Sequence, residues 1–175
     1  ASGADLFGKE ELVFHVSGGT TDLLHCKGPD SITCIGTSSD LYAGQAVDRL
    51  GVRLGYAFPA GIYVSQLAAT CSLSGLQNQC EKLLAEGKSP EYVSKYCLLC
   101  VAETLRRMAA AALERNPGLP VVFAGGVMSS EIVRDYITKR MQYAYFVPGK
   151  FASDNAIGVS ILAAREINAW PNTSM

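Results

Sequence analysis

The hydrophobic period of the chain changes once, near Leu41, and that change limits the folds open to it. Before it, three short runs read as strands. Residues 12–17 are apolar with β-branched content, 22–27 follow Gly18-Gly19, and 31–36 follow the Gly28-Pro29-Asp30 turn. Connections this short suit antiparallel hairpins. After it, Ala43, Ala46, Val47, Leu50 and Leu54 recur at helical spacing, with Asp40 at the N-cap and a stop near Gly55. Pro59-Ala60-Gly61 is a turn, a short apolar helix is expected over 62–69, and 71–75 read as a loop. A helix is expected over 76–86, and Ser89-Pro90 opens a long one to about Arg115, stopped by Asn116-Pro117-Gly118. A buried strand at 121–124 runs into Gly125-Gly126, and Ser129 or Ser130 caps a helix to about Met141. A last strand is expected over 143–147, and Ser153 and Asp154 open a C-terminal helix to about Asn168.

Three antiparallel strands followed by strand–helix–strand predict an α/β fold, a mixed five-stranded sheet with helices on both faces. This arrangement resembles the ribonuclease H-like lobe that repeats in the actin, Hsp70 and sugar-kinase superfamily, where two lobes face each other and hold a nucleotide between them. At 175 residues the chain is expected to form one domain over 1–175, hence one such lobe.

Hydrophobic residues at 49% and charged residues at 18% exclude a globally disordered chain. A net charge of -1 excludes a strongly basic nucleic-acid binder, though not a local basic patch or a nucleic acid held by a partner. No apolar run reaches the ~18 residues of a membrane span, so no membrane partner is expected. The opening Ala-Ser-Gly-Ala-Asp has no basic segment and no apolar signal core, so no targeting peptide is expected either. The cysteines at 26, 34, 71, 80, 97 and 100 lack the setting of a disulfide framework, and a reducing, cytoplasmic compartment is expected. Cys97-Leu98-Leu99-Cys100 has no second ligand pair at zinc spacing and reads as one or two buried thiols, with a redox or metal role as the alternative, and His15 and His25 read as structural.

Four clusters fall at strand ends and helix starts, where ligands bind in α/β sheets. In Ser17-Gly18-Gly19-Thr20-Thr21 the glycines let a backbone approach a phosphate and the hydroxyls donate to it; an ordinary hairpin turn reads equally well. Asp40 and Asp48 flank Gly44. Asp48 is placed to accept from ribose hydroxyls, with an N-cap at Asp40 and a solvated charge at Asp48 as the plainer reading. Phe123-Ala124-Gly125-Gly126-Val127 offers bare backbone to a flat base, or a tight strand-to-helix turn. Ser153-Asp154-Asn155-Ala156 offers a carboxylate to a metal or phosphate, or a helix cap alone.

Together these clusters resemble one family. Val16-Ser17-Gly18-Gly19-Thr20-Thr21 is similar to its Val-Ser-Gly-Gly-x-Thr motif, and the run from Asp40 to Arg49 to its Asp-x-Ala-x-Gly-Glu-Ala-Phe-Asp-Lys segment. Leu54-Gly55 through Pro59-Ala60-Gly61 resembles Leu-Gly-x-x-Tyr-Pro-Gly-Gly, and Ala124-Gly125-Gly126-Val127 and Ser153-Asp154-Asn155-Ala156 match the last two motifs. The family is TsaD with its archaeal, eukaryotic and mitochondrial relatives, formerly labelled glycoproteases or O-sialoglycoprotein endopeptidases. The resemblance implies an actin-like ATPase fold and transfer of a threonylcarbamoyl group from its adenylate to N6 of an adenosine in tRNAs reading codons that begin with A. It also implies ATP or threonylcarbamoyl-adenylate as ligand, iron or zinc in the interdomain cleft, and tRNA and other threonylcarbamoylation proteins as partners.

Carried over by position, Ser17, Gly18 and Gly19, with Thr20 and Thr21 beside them, contact the phosphate or acyl part. Asp48 takes the ribose with Asp40 nearby, Gly61 and Ser65 lie near the nucleoside, Gly125 and Gly126 support the adenine, and Asp154 is a metal ligand. No catalytic residue is assigned. The chain departs from the motifs at Gln45 for Glu, Arg49 for Lys, Ser130 for the Asn that faces the base, and Ile62 after Gly61. The family's His-x-x-x-His metal pair lies upstream of the Ser-Gly-Gly strand, so the chain is expected to be the C-terminal lobe of a longer two-lobe protein, inactive by itself. A non-catalytic nucleotide-binding or scaffolding paralogue is the alternative, and a metallopeptidase ranks last because no water-activating glutamate or closed metal site is visible.

Overall fold

Alternation along the first strand decides which way the sheet faces. In the computed structural model, which describes residues 6, 8–28, 30–38, 43–56 and 75–151, strand β1 (Glu10–Val16) buries Leu12, Phe14 and Val16 on one face. Strand β2 (Thr21–Lys27) pairs antiparallel with β1, bringing Leu23 opposite Phe14, and β3 (Ile32–Thr37) pairs antiparallel with β2. The β2–β3 register shifts between Leu23 and Leu24, skipping Ile35, and β3 is the exposed edge strand. Strands β4 (Val121–Ala124) and β5 (Ala144–Phe146) extend the other side in parallel with β1, giving the order β3-β2-β1-β4-β5. This is the mixed five-stranded sheet expected from the sequence.

Among the described residues the α-helices are α1 (Ala43–Arg53), α2 (Leu76–Ala85), α3 (Pro90–Arg115) and α4 (Glu131–Thr138). Their buried sides join one cluster with Leu12, Phe14, Val16 and Phe123. Phe14, Phe123 and Phe146 stack across three adjacent strands, with ring centroids 5.1 and 5.0 Å apart. On the opposite face Cys26 and Val122 are buried as well.

Helix α3 begins where the sequence predicts it. Ser89 accepts from the Tyr92 N–H at 3.2 Å, and Pro90 stands at the first helical position, where its missing N–H costs nothing. Helix α4 stops earlier than the expected Met141. The N–H groups of Arg140 and Met141 both turn to the carbonyl of Ile137, and Tyr143 takes a positive φ of 58° before β5. A short 3-10 turn (Gly126–Ser129) separates β4 from α4. Ser130 then occupies the N-cap position, but its side chain makes no capping bond. The expected helices over 62–69 and 153–168 lie outside the described residues. Among the described residues no helix is long and apolar enough to cross a membrane.

Candidate functional site

Because β1, β4 and β5 run parallel, their carboxyl ends open along one edge of the sheet. Ligands of open α/β sheets bind beyond that edge. Three segments collect there: the loop after Val16, the turn after Ala124, and a second 3-10 turn (Gly149–Phe151) after β5.

The first loop is held by its own residues. The Ser17 N–H donates to the Thr20 carbonyl at 2.8 Å, the hydroxyls of Ser17 and Thr20 stand 2.6 Å apart, and the Gly19 N–H reaches Ser17 Oγ at 3.3 Å. A side chain on Gly19 would meet nothing within 4 Å, and one on Gly18 would meet only Asp48 Oδ2 at 3.6 Å. Neither glycine has a positive φ. The fold therefore does not demand glycine here, and both present bare backbone to the space beyond the loop. Thr21 differs: it is fully buried, donates to the Thr20 carbonyl and accepts from the Ala43 N–H, each at 2.9 Å. Its hydroxyl ties β2 to the start of α1.

Helix α1 brings Asp48 to this loop. Gly18 and Asp48 line one cavity of about 590 Å3 with Gln45, Arg49, Val52 and Arg53 of α1 and Gln77 and Glu81 of α2. Its far wall is a polar chain. Arg49 Nη1 donates to Gln77 Oε1 at 3.3 Å, Gln77 Nε2 donates to Glu81 Oε1 at 3.2 Å, and Arg53 stands 3.9 Å from the same Glu81 oxygen. Sequence reasoning missed Arg53, Gln77 and Glu81. The signal was present in the spacing of Gln45, Asp48, Val52 and of Gln77, Glu81, which places each set on one helix face.

The β4 turn supplies a glycine of another kind. Gly125 has φ +107°, and a Cβ there would stand 2.1 Å from the Val16 carbonyl oxygen, so its hydrogen is a packing requirement. Gly126 has nothing within 4 Å of its would-be Cβ. Ser130 is 4% exposed, and its hydroxyl has no hydrogen-bond partner among the described residues. Asp40, Gly61, Ser65 and Asp154 lie outside the described residues.

Other polar groups support the fold. Glu103 of α3 accepts two bonds from Arg106, at 2.6 and 2.9 Å, one from Arg107 at 2.7 Å and one from the Tyr136 hydroxyl of α4 at 3.2 Å. The Arg106 bonds foremost hold its carboxyl down at about 2. His25 Nε2 sits 2.9 Å from Glu10 Oε1. Cys80, Cys97 and Cys100 are buried; the hydrogen bond to Cys80, with burial, holds the Cys97 thiol well above the usual range, so it stays protonated. Among the described residues no three His, Cys, Asp or Glu side chains come together to hold a metal ion.

A family model described as TsaD, tRNA N6-adenosine threonylcarbamoyltransferase, matches residues 2–160. A curated relative of that name from Francisella tularensis subsp. holarctica is 26% identical over 191 residues, covering 91% of this chain and 56% of the relative. One from Streptococcus pyogenes serotype M2 is 30% identical over 179 residues, covering 86% and 52%. The chain thus spans about half the length of the curated relatives it matches. Among solved structures, the activator of the 2-hydroxyisocaproyl-CoA dehydratase from Clostridium difficile with bound ADPNP superposes with a TM-score of 0.58 at 10% identity, covering 95% of this chain and 66% of that one. The likeness is one of fold, a mixed five-stranded sheet with helices.

Proposed function

The chain belongs to the TsaD family, and from that premise we propose that it is the C-terminal lobe of a two-lobe tRNA N6-adenosine threonylcarbamoyltransferase. The observation that carries this reading is the meeting of two motifs distant in sequence: Gly18 of the β1 loop and Asp48 of α1 line one cavity beside the carboxyl ends of the parallel strands. In this reading an adenine nucleotide, ATP or the threonylcarbamoyl-adenylate, lies along that edge. The open backbone of Gly18 and Gly19 takes its phosphate or acyl part, with Ser17 and Thr20 fixing the loop. Asp48 accepts from the ribose hydroxyls, and Gly126 and Ser130 face the base. Thr21 and Gly125 hold the frame rather than the ligand. Asp40, Gly61 and Ser65 keep the roles that their motifs imply.

The reaction joins the acceptor N6 to the carbamoyl carbon and breaks the bond from that carbon to the phosphate oxygen. AMP leaves with the electron pair, and the N6 proton passes to solvent. Asp154 would be the ligand this chain lends to an iron or zinc ion, which when bound would supply Lewis-acid chemistry. The other ligands would be the His-x-x-x-His pair that the family resemblance puts in the N-terminal lobe, since stable sites of these metals take three or four protein donors. No step is assigned to the metal. The N-terminal lobe, tRNA and the other threonylcarbamoylation proteins complete the assembly. A non-catalytic nucleotide-binding or scaffolding paralogue is the second reading, favoured by Ser130 in the place of the motif's base-facing Asn.

The test is calorimetric titration of the full-length protein with ATP alongside a threonylcarbamoyl-transfer assay. ATP binding that Asp48→Asn weakens about tenfold, the worth of a charge-assisted hydrogen bond, together with transfer to tRNA, supports the enzyme. ATP binding without transfer selects the paralogue, and no ATP binding overturns both.

A further inference from the structure

Three thiols are buried where α2 packs on α3, and the proposed function uses none of them. Cys80 of α2 is 1% exposed, and Cys97 and Cys100 of α3 are fully buried. Cys80 faces Cys97. The Tyr96 hydroxyl donates to the Gln79 amide oxygen across the same two helices, and the next residue of each, Cys80 and Cys97, share a hydrogen bond of their own. Neither is in a disulfide.

The two thiols are chemically unequal. The bond from Cys97 holds the Cys80 thiol below the ordinary cysteine range, against burial and the Glu81 charge, while Cys97 keeps its proton. A sulfur that ionises readily beside a protonated one pairs an attacking group with a resolving group. Access comes through α2. Its ten residues fall short of the ~12–15 at which a helix holds by itself in water, and Gly75 at its N-cap makes no side-chain bond. Local opening of such an element admits a small oxidant that the closed packing excludes.

We propose that Cys80 and Cys97 are a redox pair, closed by hydrogen peroxide to a disulfide that pins α2 to α3 and weakens nucleotide binding. The Cys80 thiolate attacks a peroxide oxygen. The S–O bond forms, the O–O bond breaks, and hydroxide leaves with the electron pair and takes up the proton that Cys80 released, giving water. The Cys97 sulfur then attacks the Cys80 sulfenic acid. The S–S bond forms, the S–O bond breaks, and the departing oxygen carries off the Cys97 proton as a second water. The thiols are oxidised and the peroxide is reduced by the same electron pair. A covalent bond draws the sulfurs closer than a hydrogen bond holds them, so α2 moves toward α3. That helix carries Gln77 and Glu81, which Arg49 and Arg53 of α1 hold from the other side, and the 3.3 Å bond from Arg49 to Gln77 is the first to lengthen. The effect on the nucleotide rests on the function proposed above; the disulfide itself does not.

The experiment treats the full-length protein with hydrogen peroxide, maps its disulfides by mass spectrometry of alkylated peptides, and titrates ATP before oxidation, after it, and after dithiothreitol. A Cys80–Cys97 cross-link is expected, with ATP affinity lowered about threefold or more, the scale of one weakened hydrogen bond, and restored by the reductant. Cys97→Ala should abolish both the cross-link and the loss of affinity, and Cys100→Ala should keep both. The wild-type map decides the pairing even if a variant fails to fold. No cross-link at Cys80, or Cys97 joined to Cys100 instead, would overturn the pair. A Cys80–Cys97 disulfide that leaves ATP affinity unchanged would overturn its control of the site. If the reduced protein binds no ATP, the proposed function fails and the control with it, while the mapped disulfide still decides the pair.

Discussion

Gly125 lies so close to Val16 that a Cβ on it would stand 2.1 Å from the Val16 carbonyl oxygen and 2.6 Å from the carbonyl carbon. This contact locks the end of β4 against the end of β1, the two parallel strands whose carboxyl ends form the candidate site. The obstacle is backbone, which cannot swing aside as a flexible side chain would.

Gly125→Ala should therefore destabilise the protein by more than ~2 kcal/mol, combining a steric clash with a φ of +107° that L residues avoid. Gly126→Ala should stay within ~0.5 kcal/mol of wild type, since its would-be Cβ meets nothing within 4 Å. In the proposed function the second substitution still lowers nucleotide affinity by crowding the base. Denaturant melts of the two variants check the first contrast, and ATP titration of Gly126→Ala checks the second. Equal stability of the two variants would show that β4 can shift away from Val16.

Thr21→Val should cost ~1–3 kcal/mol, because it leaves the buried Ala43 N–H without its acceptor at the start of α1. Ser17→Ala, on a half-buried loop, should cost less than half as much. The sequence placed both residues in one motif; thermal melts separate the frame residue from the loop residue.

Glu103 gives the stability a pH dependence. Its carboxyl sits at about 2 in the folded protein against 4.5 ordinarily, so the unfolded chain binds the proton first as pH falls. The stabilisation is present above pH 4.5 and is lost as the pH drops from there through about 2. Glu103→Gln should lower stability at pH 7 by about 1–2 kcal/mol, the scale of charge-assisted bonds after solvent screening. The gap between variant and wild type should shrink steadily below pH 4.5. A gap that stays constant down to pH 2 would remove the α3–α4 contact from the acid response.

Most strand and helix positions were legible because each element carries its own signal. Alternation in β1, Ser89-Pro90 and Asn116-Pro117-Gly118 around α3, and glycine breaks after β1 and β4 are local patterns. The antiparallel pairing of the first three strands was legible too, since short links force hairpins, and a helix between strands permits a parallel pair. The division of labour inside each glycine pair was not. Gly125 and Gly126 are the same residue to a sequence reader, and only the approach of Val16, more than a hundred positions away, tells them apart. For the α1–α2 cavity, spacing put Gln77 and Glu81 on one helix face but could not say what that face meets. Gln77 and Glu81 look like a solvated helix face until α2 packs beside Arg49 and Arg53.

Ser130 permits the sharpest separation of stability from binding. Its hydroxyl is buried without a partner among the described residues, in a residue only 4% exposed, a condition that costs free energy rather than supplying it. It takes the N-cap position of α4 without a capping bond, so removing the oxygen should not weaken the helix. Ser130→Ala should leave stability unchanged or raise it by up to ~1 kcal/mol, because a desolvated polar atom disappears. If Ser130 faces the base as proposed, the same substitution should weaken ATP binding by about tenfold, the worth of one hydrogen bond made only in the complex. Melting curves and ATP titrations of the same two proteins decide the matter. A loss of stability above ~1 kcal/mol would mean that the hydroxyl has a partner in the folded protein, and unchanged ATP affinity would take Ser130 out of the site.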